Sequence, residues 1–178
     1  MPNTVADATT PQISTSPSRR RRFRKVFIFV ALAVLLVVPV YPRLLGNMIS
    51  CAADHGNTGQ VRFLLMIGAN PDSFGWYVPV DRTPLMLAAS DGSLSTVRVL
   101  LDHGADVNTG VNAWSSTPLM CAVEGGNPAV VRLLIARGAH LNDVDGGDDT
   151  PLTLAQTYHH PEIVQILKLA GAAKLPQR

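Results

Sequence analysis

Charge is scarce in this chain. Asp, Glu, Lys and Arg make up only 16% of its 178 residues, against roughly 25% in an average globular domain. The charge it has is unevenly placed. Six of the fifteen basic residues fall between Arg19 and Lys25, while from Arg43 onward nine Lys/Arg face twelve Asp/Glu. A nucleic-acid reader carries its positive charge on its folded face, so the mildly acidic body argues against that class. Catalytic signatures are missing too. The sequence has no Gly-x-Ser-x-Gly elbow, no Walker loop and no His-Glu-x-x-His. Its five histidines (His55, His103, His140, His159, His160) include no pair at the i, i+4 spacing of a helix-borne zinc site. Asp143, Asp145, Asp148 and Asp149 lack the ligand ladder of an EF-hand and read as solvated turn carboxylates. No enzyme, cofactor, metal or small-molecule substrate is expected.

Three compositional zones follow from the N-terminus. Residues 1–18 are rich in Ser, Thr, Pro and Asn and hold too little apolar surface to fold, so a disordered tail is expected. Residues 19–25 form a basic flank. Residues 26–41 (VFIFVALAVLLVVPVY) are 16 residues without charge, slightly short of the roughly 17–25 a spanning helix uses. The run reads as a transmembrane signal anchor, with snorkelling of Arg24, Lys25 and Arg43 making up the length. The alternative is a cleaved signal peptide, although no small-x-small cleavage site follows. The basic residues precede the run, which puts the N-terminus in the cytoplasm and the remainder outside. A bacterial inner membrane with a periplasmic body is the expected setting.

The most telling positive feature is a recurring phrase. Thr83-Pro84-Leu85 returns as Thr117-Pro118-Leu119 and as Thr150-Pro151-Leu152, and a Gly-Ala pair follows each time at Gly104, Gly138 and Gly171. A fixed period near 33 residues means stacked copies of one small unit. Within one unit the elements are legible. Thr83 suits an N-cap and Pro84 the first helical position. Gly92 suits a C-cap. Val97, Leu100 and Leu101 then lie on one face of a second helix, read as beginning at Thr96.

The phrase TPLMLAASDGSLSTVRVLLDHGADVN resembles an ankyrin repeat. TPLMCAVEGGNPAVVRLLIARGAHLN and TPLTLAQTYHHPEIVQILKLAGAAKL are similar, and NMISCAADHGNTGQVRFLLMIGANPD is a degenerate first copy. The resemblance covers residues 47–175 and implies an all-α solenoid of four repeats at about 47–79, 80–113, 114–147 and 148–175. Each would hold two antiparallel helices and a β-turn finger. The family's usual His after Thr-Pro-Leu is Ser50, Met86, Met120 or Thr153 here, which reduces the network of hydrogen bonds between loops. The usual Gly two residues before the Thr is Asp81, Ser115 or Asp148, so irregular fingers are expected. Lys168 replaces the apolar residue found at Leu65, Leu101 and Ile135, as a polar C-terminal cap would. Cys51 and Cys121 hold the same place two repeats apart. Stacked helices lie roughly 8–10 Å apart, beyond the roughly 7 Å Cα limit for a bridge, so two free, buried thiols are expected.

The resemblance also implies a protein partner, bound on the concave face of fingers and first helices. Position by position this selects Val80, Arg82, Trp114, Ser116, Gly147 and Asp149 on the fingers, with Ser90, Asp91, Glu124 and Tyr158 on the first helices. Trp114 is the expected hot spot, joined by Trp76 and Tyr77 in the long first finger. The function read from the sequence is a membrane-tethered protein-interaction adaptor or scaffold. The alternative is an exported soluble factor that protects or inhibits an envelope enzyme.

Overall fold

The computed structural model describes residues 41, 43–73, 82–110 and 116–172. The tail, the basic flank and all of the apolar run but Tyr41 therefore lie outside the described residues. So do Trp76, Tyr77, Val80, Asp81, Trp114 and Ser115.

Among the described residues every regular element is a helix. Residues 43–54 form α1, and α2 spans Thr58–Met66. The remaining pairs are α3 (Pro84–Asp91) with α4 (Leu94–Asp102), α5 (Pro118–Glu124) with α6 (Pro128–Ala136), and α7 (Pro151–Thr157) with α8 (Pro161–Leu169). Two rows result. The first helices α3, α5 and α7 pack side by side, as do the second helices α2, α4, α6 and α8. No described helix is long and apolar enough to cross a membrane.

The recurring phrase builds the first helices as its chemistry dictates. Thr83, Thr117 and Thr150 are buried N-caps whose hydroxyls accept hydrogen bonds from the N–H groups of Met86, Met120 and Thr153 at 3.2–3.3 Å. Each cap satisfies one of the donors a helix start leaves open. Pro84, Pro118 and Pro151 sit in the first turn, where the missing N–H costs nothing. Gly92 closes α3 in the left-handed region at φ 77°.

The second helix of the unit starts earlier than the apolar pattern indicates. α4 begins at Leu94, two residues before Thr96, and Ser93 makes no side-chain cap. Its first turn, Leu94-Ser95-Thr96, is partly polar and carries no amphipathic signal. Thr96 is nevertheless fully buried, because its hydroxyl meets that of Thr58 at 2.8 Å and donates to the Gly56 carbonyl.

One core runs through the unit. Leu85, Ala88, Leu100, Leu119, Ala122, Val130, Leu134, Ala155 and Leu167 are almost wholly excluded from solvent. The small residues allow close approach. A Cβ on Gly125 would lie 2.3 Å from the Ser90 carbonyl oxygen, so α3 and α5 pack with no side chain between them at that point.

The thiol expectation needs one correction. Both cysteines are free, and Cys121 is buried, but Cys51 is exposed. In the later units the equivalent position is covered by the unit before it. Among the described residues nothing precedes α1.

Candidate functional site

The described residues among those expected to bind a partner fall in several different surroundings. Arg82 precedes the Thr83 cap, and Glu124 ends α5. One Arg82 guanidinium nitrogen lies 3.8 Å from Glu124 Oε2, and both side chains are about three-quarters covered. Arg82 Nε is buried with no hydrogen-bond partner among the described residues. The Glu124 carboxyl is pushed above the usual carboxylate range. Burial is the largest cause; Arg82 opposes it and Asp145 adds to it. The structure thus keeps a half-buried ion pair that is long and incompletely bonded.

Around this pair the other expected residues take different places. Ser90, half-buried, holds in its unit the place that Glu124 holds in the next, and Asp91 is exposed at the end of α3. Ser116 is buried, and its hydroxyl approaches the Cys121 sulfur at 3.9 Å. Burial pushes the Cys121 thiol up to about 11, so it is an inert core group. Asp149 is half-buried in the last finger, where its N–H donates to Asp145 Oδ1 at 2.9 Å. Gly147 N–H donates to the same oxygen at 2.8 Å. The Asp145 carboxylate is therefore spent on the turn itself. Tyr158 stands apart as the C-cap of α7, exposed and stacked on His160 with ring centroids 6.4 Å apart. The structure brings Arg82, Glu124 and Ser116 together around Cys121; Tyr158 is not part of that group. No three His, Cys, Asp or Glu residues converge in metal-binding geometry among the described residues.

Sequence reasoning missed the bridges between units. Asp72 Oδ1 accepts from Asp106 N–H at 3.0 Å, and Asn108 Oδ1 accepts from His140 N–H at 2.8 Å. Asn108 also donates to the Gly138 carbonyl. Asn127 donates to the Gly92 carbonyl at 2.9 Å while its Oδ1 caps α6. The signal was present, since Asp72, Asn108 and Asn142 hold the same place after Gly68, Gly104 and Gly138. Read within one unit, they look like turn residues only.

Comparison with known proteins agrees with this arrangement. Residues 85–135, which run from α3 into α6, match the family model for ankyrin repeats (many copies). The chain is similar to ankyrin repeat and SOCS box protein 12 of Mus musculus, with 47% identity over 60 residues. That stretch is 34% of this chain and 18% of the mouse protein, so the chain spans under a fifth of that relative's length. Residues 85–135 therefore carry ankyrin repeats, and the following helix pair repeats the same threonine cap and first-turn proline.

Proposed function

We propose that this chain is a protein-binding module held at a membrane by residues 26–41, with its repeats on the non-cytoplasmic side. Ankyrin repeats are interaction modules, and extended stacked surfaces suit protein partners better than small ligands. The observation that carries the reading is the Arg82–Glu124 pair. Both groups are largely taken out of water, the pair is long at 3.8 Å, and Arg82 Nε lacks a partner among the described residues. Such a pair weakens a fold when it stands alone, and perturbed ionisable groups cluster at functional surfaces. A partner carboxylate or carbonyl reaching Arg82 would supply the missing acceptor. The membrane side of the reading rests on the uncharged run and on the six basic residues before it.

The test is charge reversal in the full chain. Arg82→Glu and Glu124→Arg should each abolish capture of the partner from the source membrane. Arg98→Glu, on the exposed face of α4, should leave it unchanged. Equal capture by all three variants would remove the proposed surface.

A further inference from the structure

The first repeat is open where the others are covered. Pro84, Pro118 and Pro151 are buried, but the equivalent Met48 is 56% exposed. Leu87, Cys121 and Leu154 are buried, but the equivalent Cys51 is exposed. On the second helices, Thr96, Val130 and Ile163 are buried while the equivalent Gln60 is exposed. Val99 and Ile166 are buried while the equivalent Phe63 is 56% exposed. Met48, Cys51, Gln60 and Phe63 line one groove of about 580 Å³ between α1 and α2. Its place in the repeat register is the seat of a preceding unit.

This end is apolar as well as open. Tyr41, Leu44, Met48, Phe63, Met66 and Ile67 are all exposed, whereas α8 exposes Glu162, Gln165 and Lys168 with the single large apolar residue Leu169. Terminal repeats ordinarily need a polar outer face, and a contiguous apolar patch marks an interaction surface. What adjoins it is informative. The uncharged run of residues 26–41 ends at Tyr41, and α1 starts at residue 43. From Tyr41 to Met48 is seven residues, or about 10 Å along a helix. Arg43 and Arg62 are exposed in the same two helices, and aromatic and basic side chains both favour the bilayer interface.

We propose that this open end of the stack is a lipid-facing surface, with Met48, Phe63 and Met66 entering the head-group boundary of the bilayer that holds the chain. The inference rests on the membrane-tether reading. The bilayer takes the seat of a preceding repeat and shields apolar side chains that would otherwise face water.

Cys51 is a natural probe, because it lies in the groove and is exposed while Cys121 is buried. The full chain is reconstituted in phosphatidylcholine–phosphatidylglycerol vesicles with a small environment-sensitive fluorophore on Cys51. The control carries the label on Arg98→Cys in a Cys51→Ser background. A lipid-borne nitroxide near the head group should quench the Cys51 label severalfold more than the control, and aqueous iodide should quench it severalfold less. Phe63→Asp with Met66→Asp, both at exposed positions, should bring the Cys51 label to the control's behaviour without changing the circular dichroism. Equal quenching of the two labels by iodide and by nitroxide would overturn the proposal. Shielding from iodide without nitroxide quenching would also overturn it, showing that protein, such as a second copy, fills the groove. Alkaline carbonate separates the two readings. A chain extracted by carbonate defeats the tether and this inference together. A chain that resists extraction but gives either overturning pattern defeats this inference alone.

Discussion

At the scale of single residues, the unit tolerates some poor local choices, and each gives a measurable effect. His159 has φ 57°, while the equivalent Gly56, Gly92 and Gly126 have φ 60°, 77° and 67°. A side chain in the left-handed region costs about 1–2 kcal/mol, partly offset by the entropy that glycine loses on folding. His159→Gly should therefore raise stability by about 0.5–1 kcal/mol in urea denaturation. Glu124 acts in the opposite sense. Its folded carboxyl titrates above the ordinary range because burial outweighs Arg82, so the folded state holds its proton more tightly than the unfolded state. Stability must then fall as pH rises from the ordinary glutamate range through the raised value. Glu124→Gln removes this loss. The variant's denaturation midpoint should gain on the wild type as pH rises from acid to neutral, and parallel curves would show that burial does not dominate. Ser50 is a further weak point, since its buried hydroxyl has no partner among the described residues where the family places a hydrogen-bonding histidine.

At the scale of elements, the helix pairs were largely legible in the sequence and their junctions were not. Thr83, Pro84 and Gly92 announced α3, because N-caps, first-turn prolines and left-handed C-caps are local devices that a short window contains. The start of α4 was read two residues late. Leu94-Ser95-Thr96 gives no amphipathic signal, and Thr96 is buried by contacts with Thr58 and Gly56 of the previous unit. The bridges from Asp72, Asn108 and Asn127 were hidden for the same reason: their partners lie 30–35 residues away. Gly125 shows how tightly these junctions close. Its φ of −68° suits any residue, and Ala gains about 1 kcal/mol over Gly in helix propensity. The Ser90 carbonyl oxygen stands so close to where a Cβ would lie that it leaves no room for a methyl group. Packing should win, so Gly125→Ala is expected to cost about 1–3 kcal/mol by thermal or chemical denaturation.

At the scale of the whole molecule, the two ends of the described stack differ in exposed apolar surface. Its core is continuous from Ile49 to Leu167, yet hydrogen bonds and packing link each unit chiefly to its neighbours, as in other repeat proteins. The ion pairs Arg137–Asp102 and Arg132–Glu162 join successive second helices on an exposed face, where each contributes at most about 1 kcal/mol. Arg82 and Glu124, by contrast, are largely withheld from water. The exposure of Cys51 was not legible, because alignment fixes a residue's place within a unit and burial depends on which unit stands beside it. Of the residues selected by repeat position, Arg82, Ser116 and Glu124 stand together beside Cys121. Repeat position did not reveal that Ser116 is buried or that Arg82 Nε has no partner among the described residues, since both depend on the packing of α3 against α5.

The most direct test places a short photo-crosslinker at one position at a time in the full chain and irradiates intact source cells. Trp114, Ser90 and Glu124 sample the fingers and first helices, and Arg98 and Arg132 sample the second helices. The account predicts one protein adduct of constant mass increment from the first group and none from the second. Adducts confined to Arg98 and Arg132, or equal from both groups, would contradict it.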